Sequence, residues 1–355
     1  MIEIDGARGE GGGQVLRSAL TLSMLTGQGF HITNIRQNRK KPGMRAQHLT
    51  AVDAARAICQ AEVNGVRLNS TVLSFYPHKI RSGRYHFKIN TAGSTALVLQ
   101  TIFLPLATAG AASSLRINGG THVPWAPCTH YLTYQWLPYM NALGFDARID
   151  QDQAGFYPEG GGQLSAVIRP INQIKPLLSV GRGKLIEIKG ISAVANLPLE
   201  IAFRQKRQAK IRLSDCCDHI QLLTTLMPAR SKGTVLLLLG KFDTEITNQL
   251  AQACFFSLGE IKKRAEMVAD EAADDLKRFL ESDAVVDEYL ADQLLLPLSF
   301  AGGKSEFTTP KITAHLITNI EIISKFIPAS IDVNGTLGGP GHVHILSLIH
   351  ISEPT

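Results

Sequence analysis

The five residues Glu10-Gly11-Gly12-Gly13-Gln14 (EGGGQ) return letter for letter as Glu159-Gly160-Gly161-Gly162-Gln163. Three consecutive glycines let the backbone take positive φ and come close to a ligand, and the flanking Glu and Gln add a carboxylate and an amide beside it. One copy alone reads first as a tight turn and second as a site-building loop. Two copies, each followed by an apolar run, predict a duplicated structural unit with the loop at a corresponding corner. The spacing is not a dinucleotide fingerprint, because after Gly9 and Gly11 the third glycine position is Gln14.

Outward from the first copy, residues 2–4 read as a strand. Residues 14–26 read as a helix closed by Gly27, with Val15, Leu16, Ala19, Leu20, Leu22 and Ser23 on a mostly apolar face. A strand at 30–35, a helix at 48–59 and strands near 72–76 and 85–90 follow, and the pattern restarts with a helix at 95–109. It continues with a strand at 115–118, a helix at 129–143 ended by Gly144, and a strand at 145–150 that leads to the second EGGGQ. From about Lys184 the texture changes. KLIEIKG and GTVLLLLG read as strands flanking a basic helix at 199–213, which predicts an inserted smaller domain. A helical region at 258–280 and the segment 284–298 return to the first architecture, which finishes with a strand at 306–309, a helix at 314–326 and a strand near 342–345. The expected boundaries are 1–183 and 276–345 for a large domain and 184–275 for the insert. Residues 346–355, LSLIHISEPT, resemble the translation of a sequencing adapter, so the natural sequence is expected to diverge near Leu346.

A chain of 355 residues has room for about two domains. Hydrophobic residues at 45% and charged residues at 19% exclude disordered and fibrous classes. Thirty-six Lys and Arg against 30 Asp and Glu leave a net charge of +6, a mild lean toward a polyanionic partner. The first residues have no basic head and apolar stretch, so no secretory signal is expected. The apolar run at 96–112 is interrupted by Gln100 and Pro105 and is too short for a bilayer, so it predicts a buried helix and no membrane partner. Five cysteines without CxxC spacing suit free thiols of the reducing cytoplasm better than disulfides or zinc.

Several constellations could carry chemistry. Arg36, Arg39, Lys40, Lys41, Arg45 and His48 surround a Pro42-Gly43 turn ahead of a helix. That arrangement is either a solvated loop or a phosphate grip of guanidinium forks and helix amides. The basic run Arg204, Lys206, Arg207, Lys210 and Arg212 reads as a helix face toward water. GGKS at 302–305 imitates the end of a phosphate loop, but Leu298 stands where the earlier glycine belongs and a strand follows. A lone His315 in TAHLITNIEIISKF reads by default as a packing residue. Yet Thr313 is an N-cap candidate, and this places His315 in the first turn, where free amides receive an anion and a neutral imidazole is a competent nucleophile.

Together the segments DGARGEGGGQVLRSAL, NRKKPGMRAQHLTA, NTAGSTALVLQTIFLPL, GGTHVPWAP, GFYPEGGGQ, DEYLADQLLLPLSFAGG and HLITNI resemble the RNA 3′-terminal phosphate cyclase family, in family order and over nearly the whole chain. The region 184–275 matches least, and Cys128 stands where many members have a second proline. The resemblance implies an α/β (α+β) fold with three repeated βαβαββ units in a large domain and a smaller inserted α/β domain. It implies a ligase that uses ATP and a divalent metal, Mg or Mn, to convert the 3′-terminal phosphate of an RNA into a 2′,3′-cyclic phosphate. By the same resemblance His315 becomes adenylylated and Glu10 contacts the metal. Pro127 and Tyr289 sandwich the adenine, and Gln100, with Leu290, Ala291, Asp292 and Gln293 of the YLADQ stretch, completes the nucleotide pocket. Arg17, Arg36, Arg39, Gln47 and His48 lie near the phosphates and the RNA end, and the second EGGGQ is mainly structural. The same fold includes a non-catalytic ribosome-biogenesis relative lacking that histidine, and an enolpyruvyl-transferase-like enzyme is a third reading.

Overall fold

The computed structural model describes residues 1–243 and 250–347, so the terminal stretch from residue 348 on lies outside the described residues. The fold is mixed α/β with four four-stranded sheets. The first contains β1 (Ile2–Asp5), β2 (Phe30–Thr33), β3 (Glu62–Asn64) and β4 (Leu73–Tyr76), with α1 (Gln14–Thr26) and α2 (Ala46–Cys59) between them in sequence. Its order is β1-β2-β4-β3; β1 is parallel to β2, and β4 is antiparallel to both its neighbours.

The second sheet takes β5 (Arg84–Lys88), β6 (Ser113–Gly119), β7 (Ala147–Gln153) and β8 (Gly162–Ile168) in the order β5-β6-β8-β7, with the same directions. Between its strands run α3 (Thr95–Ala107) and a composite helix of α4 (Thr129–Tyr131), a π-helical turn (Leu132–Trp136) and α5 (Leu137–Ala142). After β9 (Leu178–Ser179) the chain forms a different sheet from β10 (Leu185–Ala195), β11 (Ile220–Leu226), β12 (Gly233–Phe242) and β13 (Gln252–Leu258), ordered β11-β10-β12-β13, with α6 (Glu200–Leu213) and α7 (Ala265–Leu280). The chain then enters α8 (Glu288–Leu298), β14 (Gly303–Thr309), α9 (Ala314–Phe326), β15 (Ser330–Gly335) and β16 (Gly341–Ser347). β9 pairs parallel with β14, and the order β9-β14-β16-β15 repeats that of the first two sheets.

Burial explains the elements. α1 packs against α2, α3 and α9 and hides most of its circumference, and it stops at Gly27, whose φ of +69° glycine adopts without a β-carbon clash. α3 is apolar all round because it, too, is interior. The run in β12 is covered on both faces: Leu236 and Leu238 join α6 and α7 in one cluster, while Leu237 and Leu239 join the main core. No helix among the described residues is long and apolar enough to cross a membrane.

Three expectations change. The two EGGGQ copies do not occupy corresponding corners. The first turns into α1, whereas the second has Gly160 and Gly161 at φ +69° and +74° and its Gly162 already begins β8. The expected helix at 258–280 starts only at Ala265: Leu258 ends β13, which pairs with β12, and a turn over 259–264 separates that strand from α7. The expected helix at 129–143 is interrupted by the π turn. Pro138 has no N–H for the carbonyl of Tyr134, and the Gln252 side-chain amide donates to that oxygen instead. Strands β3, β8, β9, β11 and β15 were also not expected from the sequence. GGKS runs into β14 rather than a helix.

Candidate active site

The N-termini of α1 and α9 and the entry to α2 meet at the first glycine loop. Gly9 and Gly11 sit at φ +60°. A β-carbon on Gly9 would overlap Thr318 Oγ1 of α9, one on Gly11 would lie 2.6 Å from Asn38 Nδ2, and one on Gly12 would lie 2.9 Å from Arg39 Nη2. On Gly13 it would overlap His48 Nε2 and approach Arg17 Nη1 to 3.1 Å. The loop is glycine because donors from three other segments stand where side chains would be. α9 is capped, Thr313 Oγ1 accepting from the Leu316 amide at 3.1 Å, but α1 begins at Gly13 without a side-chain cap. The first-turn amides of α1 are therefore free for an anion.

His315 lies in the first turn of α9. Its Nδ1 hydrogen-bonds Gln14 Oε1, and Gln14 Nε2 donates to Asp292 Oδ2 at 3.2 Å. With its amide nitrogen donating to Asp292, Gln14 presents its oxygen to the ring. Nδ1 therefore carries the hydrogen, and in the neutral ring Nε2 keeps the lone pair. Nε2 stands against Glu10 Oε2, while Glu10 Oε1 pairs with Arg39 Nη2. Burial lowers the pKa of His315; Glu10 opposes this, and Arg17 and Arg39 add to it. Beside a neutral ring, Glu10 Oε2 is a buried carboxylate oxygen without a hydrogen-bond donor. Such an orphaned oxygen, next to an imidazole and the free amides of α1, suits a divalent cation.

Charge around this centre is arranged in layers. The Arg17 guanidinium is pushed down to about 10 by burial, with Asp292 and Glu10 opposing. Asp292 is pushed up to about 7 by burial, with Arg17 and Gln14 opposing. His48 Nδ1 accepts from the Arg45 amide at 3.1 Å, which leaves Nε2–H as a donor beside Gly13. Burial, then Arg17, Arg36 and Arg45, push His48 down to about 3, so it serves as a neutral donor.

The remaining expected residues divide into those in the network and those behind it. Gln100 Nε2 donates to Gln293 Oε1 at 2.6 Å, and Gln293 Nε2 donates to the Tyr289 carbonyl at 2.7 Å. Tyr289 is 53% exposed. Pro127 is half-buried just before the Cys128 cap of α4. Leu290 and Ala291 are core residues, so they can offer a ligand only backbone. Gln47 Oε1 accepts from the Ser94 amide at 3.0 Å and so ties α2 to the start of α3. Arg36 Nη1 donates to the carbonyls of Lys41 (2.9 Å) and Gly43 (2.7 Å), which braces its own loop. Sequence reasoning noted the amide of Gln14 without giving it a partner, and it missed Asn319. Asn319 accepts from Ser18 Oγ at 2.6 Å and donates to the Asp292 carbonyl at 2.9 Å, joining α1, α8 and α9. A polar residue four places after His315 on the same helix face was the available signal.

The family model described as RNA 3′-terminal phosphate cyclase matches residues 8–333. A curated protein of that name from Pseudomonas fluorescens is 45% identical over 333 residues, covering 94% of each chain. One from Koribacter versatilis is 40% identical over 94% of this chain and 92% of its own, and one from Nostoc punctiforme is 38% identical over 94% and 96%. A solved enolpyruvyl transferase, NikO from Streptomyces tendae, aligns with 96% of this chain and 48% of its own at 8% identity and a TM-score of 0.38, a likeness too loose to carry any conclusion.

Proposed function

Because the chain belongs to the RNA 3′-terminal phosphate cyclase family, we propose that it converts an RNA 3′-terminal phosphate into a 2′,3′-cyclic phosphate at the expense of ATP. The observation that carries the chemistry is the anchoring of His315 by Gln14 through Nδ1, which turns Nε2 toward Glu10 and the uncapped end of α1 as the nitrogen to attack. Nε2 attacks the α-phosphorus of ATP, the bond to the bridging oxygen breaks, and pyrophosphate leaves. A 3′-phosphate oxygen of the RNA then takes the adenylyl group from Nε2. The neighbouring 2′-hydroxyl attacks the activated phosphorus, loses its proton and expels AMP.

The order has a physical reason. A phosphate monoester is a poor electrophile with no good leaving group, and AMP supplies one; covalent catalysis divides a hard displacement into easier ones. Attack from the same ribose gains by proximity. Arg17, Arg39, His48 and the α1 amides would receive phosphate oxygens, with Gln47 and Arg36 holding the loops that carry them. Tyr289 and Pro127 would flank the adenine, and Gln100, Asp292 and Gln293 would line the pocket, with backbone from Leu290 and Ala291. Glu10 would hold the divalent metal, Mg or Mn, which when bound would offset negative charge on the phosphates.

The three like-ordered sheets support a large domain of three βαβαββ units at 1–183 and 276–345, and the differently ordered sheet supports 184–275 as an inserted small domain. Free thiols among the described cysteines suit the cytoplasm. The non-catalytic assembly-factor reading is disfavoured by the histidine at 315.

The test is incubation with Mg and ATP radiolabelled at the α-phosphate, resolved on a denaturing gel, for the parent and His315→Ala. Label on the parent alone is expected, with transfer to 3′-phosphorylated RNA next. A folded parent that takes up no label with Mg or Mn overturns the proposal.

A further inference from the structure

Beyond the end of β6 lie Thr121 and His122, and the chain then passes Trp125 and Pro127 before entering α4 at Cys128. His122, Cys128 and His130 each bring one ligand-type atom to within 4.8 Å of the others. His122 Nε2 and His130 Nδ1 are 2.8 Å apart, and Cys128 Sγ accepts from the Tyr131 amide at 3.4 Å. His122 and Cys128 are buried, whereas His130 reaches partly to solvent. None of the three hydrogen-bonds to the network around His315. The orientation of His122 is set from outside the trio. Thr121 Oγ1 lies 2.8 Å from His122 Nδ1 and itself accepts from the Gly155 amide at 2.8 Å. The Phe156 ring stacks on His122 with centroids 4.9 Å apart. A fixed partner on the distal nitrogen is what metal-bound imidazoles require.

We propose that His122, Cys128 and His130 form a binding site for a thiophilic transition-metal cation, zinc(II) being the occupant these donors favour, with the solvent side of His130 left to a water as fourth ligand. On binding, the Cys128 thiol releases its proton to solvent and the thiolate coordinates. His122 coordinates through Nε2, so its proton moves to Nδ1, where Thr121 Oγ1 accepts it; His130 coordinates through Nδ1. Zinc–nitrogen bonds of about 2.0–2.1 Å in tetrahedral geometry put the two nitrogens roughly 3.3 Å apart, so the pair has only to open by about half an ångström. The sequence offered no CxxC spacing for zinc because the ligands come from both sides of one loop. A bound ion would clamp the end of β6 to the start of α4 around Pro127.

The other cluster of this kind among the described residues, Glu306, His342 and His344, lacks a thiol, and Lys304 Nζ already lies 2.8 Å from Glu306 Oε2. It serves as the control. The metal-free full chain is titrated with cobalt(II) and then zinc(II), with elemental analysis of the zinc-loaded protein. One cobalt per chain is expected, with a thiolate-to-cobalt charge-transfer band in the near ultraviolet that zinc removes. Cys128→Ser should lose the band, and His130→Ala should weaken binding at least tenfold, whereas His342→Ala should change neither. If Cys128→Ser fails to fold, His130→Ala at its partly exposed position decides alone. Absence of binding by the parent, binding without the band, or binding abolished by His342→Ala and retained in Cys128→Ser would each overturn the proposal.

Discussion

Gln14 donates to Asp292 and accepts from His315, so a change at this side chain reaches the imidazole that we propose to react. Gln14→Leu keeps a buried side chain of similar length and removes both bonds. A loosely held ring costs about 10²-fold when the nucleophile is misplaced by an ångström. Self-labelling should slow by roughly that factor, and an unchanged rate would show that the ring is held by other means. Gly13→Ala should act differently, since its β-carbon would overlap His48 Nε2. The expected result is a KM for the phosphate-bearing substrates raised several-fold, with the melting temperature little altered; the reverse pattern would make Gly13 a purely structural residue. At this scale the sequence was informative wherever a residue type has few uses. EGGGQ and a histidine after an N-cap threonine announced themselves, whereas Asn319 and the bracing role of Arg36 depend on partners hundreds of residues or one tight turn away.

Among the elements, α9 starts at Thr313, whose hydroxyl accepts from Leu316. Thr313→Ala should cost about 1 kcal/mol in chemical denaturation, the usual worth of such a cap, and should also slow labelling because His315 lies in that turn. Serine at the same position should restore both. The basic face of α6 is only partly given to water. Arg204 pairs with Glu266 through two hydrogen bonds at 2.8 and 2.7 Å, Gln208 bonds Asp270 at 2.7 Å, and Arg212 pairs with Asp274. Each step of four residues on α6 matches a step of four on α7, so the two helices run parallel in register. The pairs are solvent-screened, so Arg204→Ala should bring only a small loss of stability in chemical denaturation. A loss several times larger would mean that the pair also positions α7. Helix spans of 14–26 and 314–326 were legible because period and cap coincide there. β13 was not, because its pairing with β12 overrides the local preference, and the π turn is a response to Pro138 that includes Gln252 from another sheet.

For the whole molecule, the buried His48 sets a pH limit. Its folded value of about 3 lies below the ordinary 6.5, so its contribution is fully present above 6.5 and is lost as pH falls toward 3. Over that entire window the loss is at most about 5 kcal/mol, at about 1.4 kcal/mol per unit. Between pH 6.5 and 3 the parent should lose melting temperature relative to His48→Gln as acid is added, because Asp287 and Asp292 act alike in both proteins; parallel pH curves would mean that His48 is not held neutral. The oppositely shifted Asp287 and Asp292, each pushed up to about 7 by burial, contribute fully below 3.8 and lose that contribution as pH rises through about 7. By itself the sequence determined the α/β class, the principal helices, the glycine loop and the place of His315 in the first turn of α9, because these are written in local periodicity, capping and residue chemistry. Only the tertiary structure decided that the two identical loops sit in different places, that His315 turns Nδ1 to Gln14 and Nε2 to Glu10, and that two histidines and a cysteine converge around Pro127. Those outcomes depend on which surfaces bury one another, and no single stretch of chain carries that information.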